Sequence, residues 1–351
     1  MIETDDIRAS VAAGILTERQ AASLTALAHS RRGAREGLHP GDEPFELFKG
    51  FNEIFIIVGL LILSLGWAGL ISAMFDTQII GLRYAALWYG IPGAVVLWLL
   101  SEYFIWRRRM VGPAIALSIL FAINAGATLI AYFANPFMIG QLDLSSLQFP
   151  LAMTTIAVAA FWLRFRVPFA MAMIAVSLFL VAMMAAAINQ GSPESATDIF
   201  LLSAGGPFAW ITLGLGIAIF AAAMAFDMSD PHRVTRRAAN GFWLHVVAAP
   251  AMVNTIALSL IDDENLIALL AFLAVIAVIA MIIDRRSFLI TAIGYVVAVA
   301  GTVFGGDGIA TTIIALGIIL LILGAFWEKF RAQLLRRLPS FIPLHRLPPA
   351  Q

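Results

Sequence analysis

DMSDPHRVTRRAANGFWLHVVAAPAMVN, residues 227–254, sets a polar, arginine-bearing stretch directly against an apolar one. Arg233, Arg236 and Arg237 lie in the first part. From Gly241 the chain turns apolar, yet it keeps Trp243, His245, Pro250 and Asn254 within a few turns. A bilayer core of ~30 Å takes about 20 apolar residues as helix, because bare backbone polar groups are prohibitive in lipid. Working outward from this stretch, the alternation of apolar run and short polar break predicts ten spans: Ile54–Phe75, Tyr84–Trp106, Met110–Phe133, Phe149–Leu163, Val167–Ile188, Pro207–Phe226, Gly241–Ile261, Leu266–Ile283, Ser287–Phe304 and Ile309–Trp327. The fourth is short for a span, so it either begins near Leu147 or runs tilted or half-buried.

Composition agrees. Hydrophobic residues make up 61% of the 351 and charged residues 13%, against roughly 45–50% and 25% in soluble domains. Mean hydropathy is +0.92. The expected class is therefore an all-α, polytopic transmembrane bundle with the lipid bilayer as its first partner. There is no cysteine, which removes disulfides, thiolate nucleophiles and Cys-based metal sites. Formal net charge is zero, so total charge points to no nucleic-acid partner. All basic residues but Lys49 and Lys329 are arginine. With so much alanine, that is the usage of a GC-rich bacterial genome, and the predicted location is the bacterial inner membrane.

Loop charge orients the spans, because Arg and Lys concentrate in cytoplasmic loops. With ten spans, 21 of the 22 basic residues fall on one side: the N-terminal region, loops 107–109, 164–166, 227–240 and 284–286, and the tail. Arg83 alone falls on the other, beside Asp76, Asp143, Glu194, Asp198, Asp262, Asp263, Glu264 and Asp307. Both termini are predicted to be cytoplasmic. The turns Arg107-Arg108-Arg109, Arg164-Phe165-Arg166 and Asp284-Arg285-Arg286 are tight, so the bundle reads as successive antiparallel hairpins.

Three regions follow. Residues 1–43 are a cytoplasmic helical segment and linker, without the apolar core of a signal peptide. Thr4 can cap a first helix and Gly14 end it. Thr17 and Gln20 have capping-box spacing and open a second helix. This small hairpin either rests on the membrane domain or docks a protein partner or a second copy of the chain. Residues 44–327 are the membrane domain, entered by Phe45, Leu47, Phe48 and Phe51 at headgroup level. Residues 328–351 form a basic amphipathic tail, with Lys329 and Arg331 toward anionic headgroups and Phe330, Leu334, Leu335 and Leu338 toward lipid.

Small residues at four- or seven-residue spacing mark expected helix contacts: Gly214, Ala218 and Ala222; Gly294, Ala298 and Thr302; Gly59 with Gly66; Gly317 with Gly324. Polar residues inside spans are the functional pointers, since they are costly there. Glu102, Asn124, His245, Pro250 and Asn254 make a candidate polar path. Glu102 and His245 lie near the cytoplasmic ends, where they snorkel to the interface, or pair with one another, or His245 serves as a proton-titrating group near neutral pH. Asn124 and Asn254 lie deeper, as interhelical amide contacts or as contacts to a polar substrate. His245 and Asn254 are nine residues apart and face opposite ways; Asn254 shares a face with Trp243, Val247 and Ala251. Pro250 leaves the Val246 carbonyl without its helical donor.

No catalytic, cofactor or metal motif is present in the sequence. Gly305-Gly306-Asp307-Gly308 reads as a plain turn. The histidines at 29, 39, 232, 245 and 345 lack ligand spacing. No acid, base and nucleophile converge, so no enzyme is predicted and no cofactor is implied.

The segment Ala13-Gly14-Ile15-Leu16-Thr17-Glu18-Arg19-Gln20, followed by a linker and many spans, resembles a group of uncharacterised bacterial membrane proteins. These carry a short N-terminal helical segment before a multi-span bundle. Phe242-Trp243-Leu244-His245 with Ala248-Ala249-Pro250 is similar to a recurring feature of that group. The resemblance implies the layout and no activity. Two functions stay open: a transporter or permease for a small solute, ion or lipid, and a non-transporting envelope sensor or assembly scaffold acting through residues 1–43.

Overall fold

The computed structural model describes residues 9–17, 20, 51–75, 79–140, 143–191, 196–231, 236–263, 265–285, 309–339 and 346–348. Every regular element among them is helical. The chain divides into two compact units, residues 1–47 and 48–351. Outside the described residues lie the Thr4 cap, the linker, the lead-in at 45–48, the ninth span with its Gly294 stripe, and the turn at 305–308.

In the first unit, residues 9–12 are helical and Gly14 stops the helix in the left-handed region, at φ 70°. Only glycine adopts that conformation without a Cβ penalty. Thr17 and Gln20 form the predicted reciprocal pair: the Thr17 N–H donates to Gln20 Oε1 at 3.0 Å, and the Gln20 N–H to Thr17 Oγ1 at 3.3 Å.

In the second unit the apolar runs become α1 (Phe51–Met74), α2 (Ile79–Ser101), α3 (Gly112–Phe133), α4 (Ser145–Phe165), α5 (Pro168–Gln190), α6 (Phe208–Ser229), α7 (Arg236–Asp262), α8 (Leu266–Ile283) and α9 (Ile309–Arg337). α2 runs on as a π-helical turn, Glu102–Arg107. α1 to α7 are long and apolar enough to cross a membrane, and the apolar part of α8 is shorter. The short fourth span begins at Ser145, earlier than Phe149, and contains Pro150 inside the helix. α9 is kinked at Phe326, with φ −114° and ψ 16°.

α2 packs on α1 and α3, α3 on α4, and α4 on α5; α5 reaches α7, which packs most closely on α6 and also on α8. The three tight Arg turns share one device. Arg109, Arg166 and Asp284 each sit left-handed, at φ 52°, 53° and 57°. At Arg166 and Asp284 the N–H closes the preceding helix, on Trp162 and Ala280 respectively. A non-glycine residue there costs about 1–2 kcal/mol, and the side chains at two of these turns are put to use. Arg166 lies 4.5 Å over the Trp162 ring, and Asp284 Oδ1 accepts from Trp327 Nε1 at 2.8 Å.

The expected small-residue contacts are corrected. Gly214, Ala218 and Ala222 are all exposed, and an added Cβ at Gly59, Gly66, Gly214 or Gly317 meets nothing among the described residues. The seam of α6 that packs inward is Thr212, Gly216, Ile219, Ala223 and Asp227. There a Cβ on Gly216 would lie 2.9 Å from Met252 of α7. Spacing identifies a stripe, but not which side of the helix meets a neighbour.

Candidate functional site

The inward seam of α6 ends on a carboxylate. Asp227 falls where a buried apolar residue would continue the period, two residues before the helix ends, and it is 4% exposed. Across from it on α7 is Gly241, where any Cβ would collide with Asp227 Oδ1. The missing side chain makes the space the carboxylate occupies.

Two cations or donors converge on that carboxylate. Arg285, just past α8, is 1% exposed and grips it with both edges of its fork: Nε donates to Oδ2 at 3.0 Å and Nη2 to Oδ1 at 2.5 Å. The same Nη2 donates to the Ala238 carbonyl at 3.0 Å. His245, fully buried on α7, places Nε2 2.9 Å from Asp227 Oδ2. An ionised carboxylate only accepts, so Nε2 carries the proton that it donates. His245 also stands edge-on to Phe220 at 5.5 Å. Asp227 and Arg285 cancel, and the cluster is neutral or singly positive according to the imidazole.

The network continues into α9. Beside Arg285, Asp284 binds Trp327, and Arg331 Nε donates to the Met281 carbonyl at 3.0 Å. Arg331 Nη2 reaches the Pro348 carbonyl. Arg331 is 4% exposed, so it is no headgroup cation, whereas Phe330 stays exposed as predicted. α6, α7, α8 and α9 are thus tied at one end through Asp227, His245, Asp284, Arg285, Trp327 and Arg331.

The expected polar path is not one feature. Glu102 does not pair with His245: it takes a bidentate grip from Arg164, at 2.8 Å on each oxygen, and Arg164 also lies 4.7 Å over the Trp106 ring. Asn124 is buried between α2 and α3 and donates to the Tyr89 carbonyl at 3.4 Å; Trp67 Nε1 donates to the same carbonyl at 3.0 Å. Tyr89 stands one turn before Pro92, a proline inside α2. Neighbouring side chains commonly serve backbone groups near such a proline in lipid. Gly93 leaves the space that Asn124 fills. Asn254 is half-buried on α7 with Trp243, Val247 and Ala251, as its helical phase requires. It does not bond Asn124. Helix α7 passes through Pro250 unbroken.

A cavity of about 590 Å³ opens at the same end of the bundle, lined by Trp162 and Arg166, by Ala225, Phe226 and Ser229, and by Arg236, Arg237 and Asn240. At the first Arg turn, the buried carboxylate of Glu53 caps α3, accepting from the Gly112 N–H at 2.8 Å and the Val111 N–H at 3.4 Å.

Asp227, Arg285, Glu53, Trp162 and Asn240 were not among the expected site residues. Asp227 and Arg285 stood in sequence as loop charges. One available signal was the continuation of the α6 seam, four residues on from Ala223. Another was the set of acids on the basic side of the chain, which the arginine count passes over. Among the described residues, no group of three or more His, Asp or Glu is arranged to hold a metal ion. No family model matches the chain, and no curated protein or solved structure matches it.

Proposed function

We propose that the chain is a ten-span protein of a bacterial inner membrane, with both termini cytoplasmic, working as a permease-like bundle for a small solute, ion or lipid. Layout in common with the uncharacterised family of the sequence resemblance belongs to the same proposal, and no enzymatic step does. One observation carries it: the ionisable cluster Asp227, His245 and Arg285 is buried where helices of membrane length meet. Ionisable groups enclosed within a membrane bundle are costly and accompany ion paths and proton relays. The cluster ties three successive helices, and a proton on His245 changes its net charge. That couples protonation to the contacts between α6, α7 and the end of α8.

The cysteine-free chain makes the test direct. In native membranes, Asn254→Cys is expected to react with a water-soluble thiol reagent at a rate that, once divided by the thiolate fraction, still changes across the imidazole titration range. In a His245→Gln background that change disappears. Asn124→Cys, in the closed α2–α3 contact, stays unreactive. No reaction at residue 254 at any pH overturns the permease reading.

The second reading is a sensor or scaffold acting through the N-terminal unit. It is favoured by the formed capping box and helix stop in a unit separate from the membrane helices. An unreactive residue 254, with a partner or second copy captured by residues 1–47, would establish it.

A further inference from the structure

The part of α9 beyond the kink at Phe326 holds the end of α8. Trp327 Nε1 donates to Asp284 Oδ1 at 2.8 Å, and Arg331 Nε donates to the Met281 carbonyl at 3.0 Å. The last carbonyls of a helix have no donor within it. Arg331 therefore caps α8, while Trp327 fixes the left-handed turn at Asp284. Arg285 is the next residue, and the placement of its fork on Asp227 depends on that turn.

The C-terminal tail comes to the same place. The Pro348 carbonyl accepts from Arg331 Nη2. Arg331 stands about 9 Å of helix before Arg337, the last residue of α9, at ~1.5 Å per residue. Pro348 thus lies back beside the helix rather than beyond its end. Leu347 is buried with it, whereas the neighbouring Arg346 is exposed. A buried guanidinium is costly unless its donors find acceptors. The docked tail supplies one of them, and Asp284 Oδ1, 3.9 Å from Arg331 Nε, adds an opposite charge. Arg331 is in this way shared between the end of α8 and the tail. Moving the tail changes the acceptors of the residue that caps α8.

We propose that residues 346–348 are a latch on the buried cluster. With the tail docked, Arg331 stays on α8, the Asp284–Arg285 turn is fixed, and Arg285 closes on Asp227 and through it on His245. With the tail released, Arg331 loses an acceptor, and α6, α7 and α8 part more readily at this end. The latch is a property of the helix contacts and does not rest on the permease reading.

Thiol labelling of the full chain in detergent tests it, in the cysteine-free background. The probe is a water-soluble maleimide at fixed pH, and each rate is divided by that of the same cysteine after denaturation. Leu347→Cys is expected to label about tenfold more slowly than Arg346→Cys, since a docked residue reacts only when it opens. Ala238→Cys reports on the cluster: residue 238 is buried in the first turn of α7, and its carbonyl accepts from Arg285. Ala114→Cys, buried in the first turn of α3, is the control. Deletion of residues 346–351 should raise labelling at 238 about tenfold, within the range usual for coupled sites, and leave 114 slow. Leu347→Ser in the full chain should give a smaller rise at 238. Coupling is reciprocal, so Asp227→Asn should raise labelling at 347 by a factor similar to that of the deletion at 238, again with 114 slow. Equal labelling at 346 and 347 overturns the docked tail. A protected 347 with no rise at 238 on deletion makes the tail a local contact and overturns the latch. An equal rise at 114 is general loosening and overturns it as well.

Discussion

Between α2, α3 and α4 the core carries a cluster of rings, and between α6, α7 and α8 it carries none of these and mixes alanine with branched aliphatic residues. In the first region Phe121 stacks on Phe161 at 4.9 Å, Phe161 meets Phe165 at 4.6 Å, and Trp98 stands edge-on to all three at 5.0–6.1 Å. In the second, Ala223, Ala248, Ala249, Ala257 and Ala280 are buried completely. Lipid tails are as apolar as any side chain, so helices in a membrane associate by packing and polar contacts rather than by leaving water. The ring region gains dispersion from large complementary surfaces. The alanine region gains little per residue, but it lets backbones approach closely. That approach shuts Asp227, His245 and Arg285 away together. Glu53 is as buried as Asp227 but is served by backbone N–H groups rather than by a cation, and the Glu102–Arg164 pair stays partly exposed.

The sharpest way to break this comparison is Arg285→Leu, which leaves Asp227 buried without its fork. Removing one partner of a buried pair costs about 3–5 kcal/mol, and thermal unfolding in detergent should show a loss of that order. Replacing the whole cluster, with Asp227→Leu, His245→Phe and Arg285→Met together, should cost far less, because no charge is then stranded. A stable triple variant that no longer shows pH-dependent labelling at residue 254 would mean the charges serve function more than stability. If the triple variant unfolds as readily as the single one, the cluster is the lock of the second region.

Phe161→Ala tests the first region in the same assay. It removes the ring shared by three aromatic contacts and leaves a cavity, for an expected loss on the order of 3 kcal/mol. Glycine substitutions separate the two faces of α6 and α7 at smaller magnitude. Gly241→Ala pushes on Asp227 and should cost about 1–3 kcal/mol through overpacking. Gly214→Ala meets open space and should stabilise by up to about 1 kcal/mol, the helix-propensity difference. Equal effects at the two positions would refute the assignment of an inward and an outward stripe.

Much of the frame was legible in the chain. Apolar runs of bilayer length located α1 to α8 to within a few residues, because the requirement for a satisfied backbone in lipid leaves helix as the choice. Thr17 with Gln20, and Gly14, announced helix ends through local chemistry that needs no neighbour. Polar residues at depth were legible as positions but not as partners. Asn124 reads as a possible substrate contact until Tyr89 and Pro92 are seen beside it. Pro250 reads as a missing backbone donor, and the helix carries through it. Asp227 and Arg285 read as loop charges, since both stand next to polar turns.

What the sequence determined by itself was therefore whatever depends on one segment and its solvent: helical class, approximate span ends, caps, and the concentration of arginine at one end. The tertiary structure decided which face of each helix is inward, and with it that Asp227 meets His245 and Arg285 and that Glu102 meets Arg164. The physical reason is the range of the interactions. Backbone satisfaction and hydropathy act within a segment. A hydrogen bond is made or lost over less than an ångström, so it is fixed only when helices separated by dozens of residues settle at a given rotation and depth.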